Sequence, residues 1–87
     1  MTWSDDATTI VEELLQNLPA PVRDSVREAA QFRAEAAATD AGEDEVSMEE
    51  AVRAFVECTP ADLRQRLKHA LTYHGVDPED YDAAFNS

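Results

Sequence analysis

Few side chains in this sequence are able to do chemistry, and their spacing argues against most of it. His69 and His74 are five residues apart, which on a helix separates them by about 140° and denies them a shared metal-facing side. Cys58 stands alone, so no zinc set of Cys and His can be completed. It is expected to behave as a small buried apolar residue in a reducing compartment. Asp40, Glu43, Asp44 and Glu45 crowd around Gly42, yet they miss the Asp-x-Asp-x-Asp-Gly layout that surrounds calcium with oxygens. A solvated acidic turn is the expectation there. The adjacent pairs Glu12-Glu13 and Glu49-Glu50 point apart on helices, and no Ser has a His and an acid at triad-like spacing. No catalytic, cofactor-binding or metal-ligating residue follows, and a non-enzymatic protein without a cofactor is expected.

Charge says more. Nineteen acids face seven bases, for a formal charge of −12. Direct nucleic-acid binding through phosphates would need clustered Lys and Arg, so it is not expected. Six of the bases are Arg and only Lys68 is Lys. Such an acid-rich, Lys-poor composition also fits adaptation to a salty cytoplasm, where ions screen self-repulsion. The charge is uneven as well. Residues 1–57 hold four bases against fourteen acids, whereas residues 60–75 hold Arg64, Arg66 and Lys68 against Asp62 alone. That basic stretch is the candidate docking surface for a protein partner or a second copy, and reversing Arg64 and Arg66 is expected to leave the fold intact. Its alternative role is to balance neighbouring carboxylates from a solvated helix face.

The elements that must position these residues are helices. Ala, Glu, Leu and Arg abound, Ile occurs once and Gly twice. Eighty-seven residues suit one domain with a small core. No apolar run approaches the ~20 residues that span a bilayer, so a cytoplasmic protein without membrane contact is expected. The fold class is all-α: four helices over about 5–17, 21–38, 48–57 and 60–74, a short fifth over about 78–85, and no strands. Ser4 caps the first, with Trp3 packed before it as an anchor; Ala7, Ile10, Val11, Leu14 and Leu15 form its apolar face. Pro19 and Pro21 start the second, whose apolar face reads Val22, Val26, Ala29, Ala30, Ala34 and Ala37, and which is expected to be the central helix. Its arginines are expected to tether Glu12, Glu13, Glu49 and Glu50.

Capping chemistry sets the later boundaries. Ser47 with Glu50 is a capping box, and Thr59 with Asp62 and Asp77 with Asp80 are expected to repeat its layout. Helix three should bury Met48, Ala51, Val52 and Phe55, and helix four Leu63, Leu67, Ala70 and Leu71. Gly75 should end helix four in the left-handed conformation, with Val76 against Leu71. His74 then sits at the helix C-terminus, where a cation is favoured. Tyr81 and Phe85 anchor the last helix.

Some of these residues carry a family likeness. Trp3, Ala7, Leu18-Pro19, Val22-Arg23, Arg27, Ala34, Gly42 and Val46-Ser47-x-x-Glu50 resemble the small PCP_red domain, found at the C-terminus of the light-independent protochlorophyllide reductase B subunit and as free-standing proteins. The resemblance covers about residues 3–57 and leaves 59–87 as an additional helical part. It implies an all-helical accessory module and no reductase activity of its own. The expected function is therefore a small acidic accessory or protein-interaction module. The alternatives are an acidic nucleic-acid mimic, with Glu12, Glu13, Glu43, Asp44, Glu49 and Glu50 along one ridge, or an accessory piece of a protochlorophyllide-reductase-like system.

Overall fold

The computed structural model describes residues 1–86. Helix α1, Asp5–Leu15, begins where the Ser4 hydroxyl accepts a hydrogen bond from Ala7 N–H at 3.0 Å, and Asp5 and Asp6 complement the helix dipole. Its five expected apolar residues are all buried. Helix α2, Ala20–Asp40, follows Pro19, and Arg23 Nη2 donates to the Leu18 carbonyl at 2.9 Å across that corner. Helix α3, Met48–Cys58, carries the complete capping box: Glu50 N–H donates to Ser47 Oγ, and Ser47 N–H donates to Glu50 Oε1. Helices α4, Arg64–Tyr73, and α5, Asp82–Phe85, complete the bundle, which measures 32 × 27 × 24 Å.

The hub of the bundle is α3 and not α2. Ala51, Val52, Ala54, Phe55 and Val56 are each at most 2% exposed, and α3 packs against α1, α2 and α5. These residues give α3 a broad buried face, while Glu49 and Arg53 face solvent. The long α2 instead lies along one side and buries a single stripe, Val26, Ala30, Ala34 and Ala38. Ala29 and Ala37, expected in the core, face solvent. Val26, Ala30 and Ala34 are buried as expected; alanine's small apolar area makes either side of such a helix tolerable, and Ala38 rather than Ala37 completes the stripe.

Other boundaries also moved. Two short strands exist, contrary to expectation: β1, Thr2–Trp3, pairs in parallel with β2, Glu45–Val46. Ser4 N–H extends this pairing to the Val46 carbonyl at 3.0 Å. Helix α1 stops at Leu15, and Asn17 folds back to donate from Nδ2 to the Glu13 carbonyl. Helix α2 runs to Asp40 because Gly42, at φ 75°, closes it: Glu43 N–H donates to Ala38 and Gly42 N–H to Thr39. This is a Schellman stop of the kind expected at Gly75. Gly75 makes the same pair of bonds, from Val76 to Leu71 and from Gly75 to Thr72.

Thr59 does not cap helix four. It is 1% exposed, and its hydroxyl donates back to the Phe55 carbonyl at 2.7 Å. A 3-10 turn, Ala61–Leu63, therefore precedes α4, and Leu63 is only half-buried. Met48 is half-buried too. Asp77 caps at Glu79 N–H and Asp80 plays no reciprocal part, so another 3-10 turn, Pro78–Tyr81, leads into α5, where Ala84 joins Tyr81 and Phe85 in the core. Among the described residues, no helix is long and apolar enough to cross a membrane.

Candidate functional site

The richest collection of polar side chains lies in a groove of about 470 Å³ between α1 and α4. The last turn of α1 and the corner after it supply Glu13, Gln16 and Asn17; α4 supplies Arg66, His69 and Tyr73. The arginine, histidine and tyrosine recur at i, i+3 and i+7, so one side of α4 presents all three. The Gly75 stop holds His74 at the helix end, where its Nδ1 lies 2.9 Å from Glu13 Oε2. Tyr73 and His74 meet edge-to-face, with ring centroids 5.1 Å apart. Tyr73 is 85% exposed, beyond what a core anchor would show.

Both histidines thus line one groove, although five-residue spacing separates them on a helix. His74 lies past the last helical residue, so the helical angle no longer governs its direction. Among the described residues, no three or more His, Cys, Asp or Glu side chains are grouped to hold a metal ion. The Glu13–His74 pair has the orientation of an acid–base dyad, but the groove's lining includes no Ser, Thr or Cys hydroxyl or thiol for it to activate. For binding, the groove offers a guanidinium, two imidazoles and an exposed phenol.

The three expected docking residues separate. Arg64 is tied into the fold, donating from Nε to Thr59 O at 3.1 Å, from Nη1 to Phe85 O at 3.1 Å and from Nη2 to Glu57 O at 3.3 Å. Lys68 Nζ sits 5.1 Å from the centroid of the Phe85 ring, a cation–π contact. Arg66 alone is exposed and reaches the groove. Glu13, Tyr73 and His74 were not foreseen there. The Arg66–His69–Tyr73 spacing could have revealed the tyrosine; the Glu13–His74 contact joins residues too far apart in sequence to be inferred from spacing.

Elsewhere the arginines of α2 do varied work. Arg27 pairs with Glu12 at 2.8 Å, as expected of a tether, whereas Arg33 reaches Glu57 at 3.5 Å and Arg23 bonds a carbonyl. Glu49 is held by Arg53 on its own helix. Trp3 is half-buried and donates from Nε1 to Glu35 Oε2 at 2.9 Å, which fixes the N-terminal strand on α2. Cys58 is only half-buried, and desolvation pushes its thiol up while Arg33 pulls it down. A thiol so shifted is a poor nucleophile near neutrality.

These features define a small all-α acidic bundle with a mixed-charge groove between its first and fourth helices. The chain belongs to the family described as "Protein of unknown function (DUF2621)", whose model matches residues 1–85. That match corrects the PCP_red resemblance, because it accounts for nearly the whole chain, including the part after residue 58 that the resemblance left uncovered. The words that suggested it have local packing reasons: Leu18 is buried, Arg23 closes the corner, Arg27 pairs with Glu12 and Ala34 lets helices approach. No curated protein and no solved structure matches the chain.

Proposed function

We propose that this protein is a non-enzymatic accessory module that docks on a partner protein through the groove between α1 and α4. The observation that carries this reading is Tyr73, 85% exposed and flanked on the same helix side by Arg66 and His69. Tyrosine and arginine are the side chains that most often supply binding energy at protein interfaces, since each brings large contact area and directional bonds. Arg66 suits a carboxylate of the partner and Tyr73 its apolar or hydrogen-bonding groups, and the −12 charge of the chain argues against nucleic acid as the ligand. The decisive experiment is affinity capture with Tyr73→Ala and Arg66→Glu, each checked for unchanged helical circular dichroism. A specific partner retained by the native chain and lost from both variants supports the groove; a partner retained by both rejects it.

The acidic-mimic reading draws less support. Glu12, Glu13 and Glu49 each face a cationic or titratable partner, Arg27, His74 and Arg53. Glu50 is lowered first by the Ser47 backbone N–H that donates to it and also by its interaction with Glu43, whose own carboxyl Glu50 raises. Carboxylates engaged in this way make weaker phosphate imitations than free ones.

A further inference from the structure

The outer side of α2 carries an apolar stripe that the bundle does not use. Phe32 is 77% exposed, and Ala29 and Ala36 lie beside it at helical spacing, opposite the buried stripe of the same helix. A hollow of about 670 Å³ runs along Ser25, Ala29, Phe32 and Ala36 to Cys58. A second, about 370 Å³, continues it past Phe32 and Ala36 to Met1, itself 54% exposed. From Ser25 to Ala36 the stripe is about 17 Å long, three helical turns. Small residues on either side of one large ring let another helix approach closely, with the ring as a knob and the methionine as an adaptable edge.

The rim of this stripe is acidic. Glu28, Glu35 and Asp40 border the two hollows, and the Arg33 side chain beside them lies 3.5 Å from Glu57. We propose that the exposed side of α2 receives a basic amphipathic helix of another protein, its apolar face on Phe32, Ala29 and Ala36 and its Lys or Arg side chains on Glu28, Glu35 and Asp40. Helix-in-groove recognition uses anchors at this spacing. The −12 charge of the body steers cationic partners toward it and opposes a second copy, which would bring an equal negative charge to the same rim. This surface does not involve the groove between α1 and α4.

The test uses the full chain and a fluorescent Leu/Lys amphipathic helical peptide of about 14 residues, four turns. A scrambled peptide of the same composition serves as control. The native chain is expected to bind the amphipathic peptide roughly tenfold more tightly than the scrambled one. Phe32→Ser should abolish that preference, with helical circular dichroism unchanged. Glu28→Lys with Asp40→Lys should weaken both peptides and flatten the salt dependence, while Tyr73→Ala should change neither. Equal binding of the two peptides overturns the proposal, as does an unchanged preference in Phe32→Ser. A dimer of the native chain by light scattering that Phe32→Ser dissolves would place a second copy on the stripe and overturn it equally.

Discussion

Arg64 reaches the carbonyls of Glu57, Thr59 and Phe85, so one guanidinium joins the end of α3 to the end of α5. Helix ends leave carbonyls without partners in the helix, and a rigid fork of donors is well shaped to satisfy several at once. Replacing Arg64 with Ala is expected to destabilise the fold by about 2 kcal/mol, measured by urea unfolding. Arg66→Glu, two residues on, should stay within about 0.5 kcal/mol of the native chain, because that side chain is exposed. The contrast corrects the expectation that Arg64 and Arg66 can be reversed together without harm. In sequence the two arginines are neighbours of equal charge. Only the folded chain brings carbonyls to one and solvent to the other.

At the scale of the element, the start of α3 holds the most tightly interacting carboxylates. Ser47 N–H donates to Glu50 and so lowers its pKa, while the hydrogen bond and charge of Glu50 raise that of Glu43. The signs are opposite. Glu50 contributes stability that is present above its unfolded pKa and lost as pH falls through its lowered folded pKa. Glu43 contributes stability that is present below its unfolded pKa and lost as pH rises through its raised folded pKa. Glu50→Gln should therefore lower the melting temperature at pH 7, and the deficit should vanish in acid below the ordinary carboxylate range. Glu43→Gln should do the reverse, melting higher than the native chain at pH 7, with the gain fading as pH falls through the raised pKa and gone below about 4.5, the ordinary pKa of the group. Thermal melts from pH 3 to 7 check both directions. Ser47→Ala should cost about 1 kcal/mol through the lost cap. This capping box was legible in four letters, because each of its bonds lies within one turn. Thr59 with Asp62 offered a similar layout and failed, since the Thr59 hydroxyl, in a residue only 1% exposed, bonds a carbonyl of the preceding helix.

For the whole molecule, the balance is a small apolar core against a large net charge. The core centres on Phe55, and Val26 packs into it from α2 at 3% exposure. Val26→Asp buries an unpaired charge and is expected to unfold the chain, seen as loss of cooperative melting. With −12 on a body of 11.8 Å radius of gyration, self-repulsion should weaken as salt rises. The melting temperature is expected to climb between low salt and about 1 M, where the screening length falls to about 3 Å. A flat response would mean that Arg27, Arg33 and Arg53 already balance the field locally.

The sequence by itself determined that the chain is helical, where α1, α2 and α3 begin, and which side of α1 is apolar. Those features rest on hydrogen bonds and contacts within a few residues, so spacing encodes them. It also determined the excess of negative charge, which is a matter of counting. The tertiary structure alone decided that α3 is the hub, that Ala29 faces out while Ala38 faces in, and that Trp3 joins a parallel pair with Val46 and donates to Glu35. It also decided that Glu13 meets His74, and that Arg64 is structural while Arg66 is free to face a partner. Each of these depends on which helix lies beside which, and several helices here carry apolar residues on more than one side. Periodicity leaves such a choice open; burial of the largest common surface makes it.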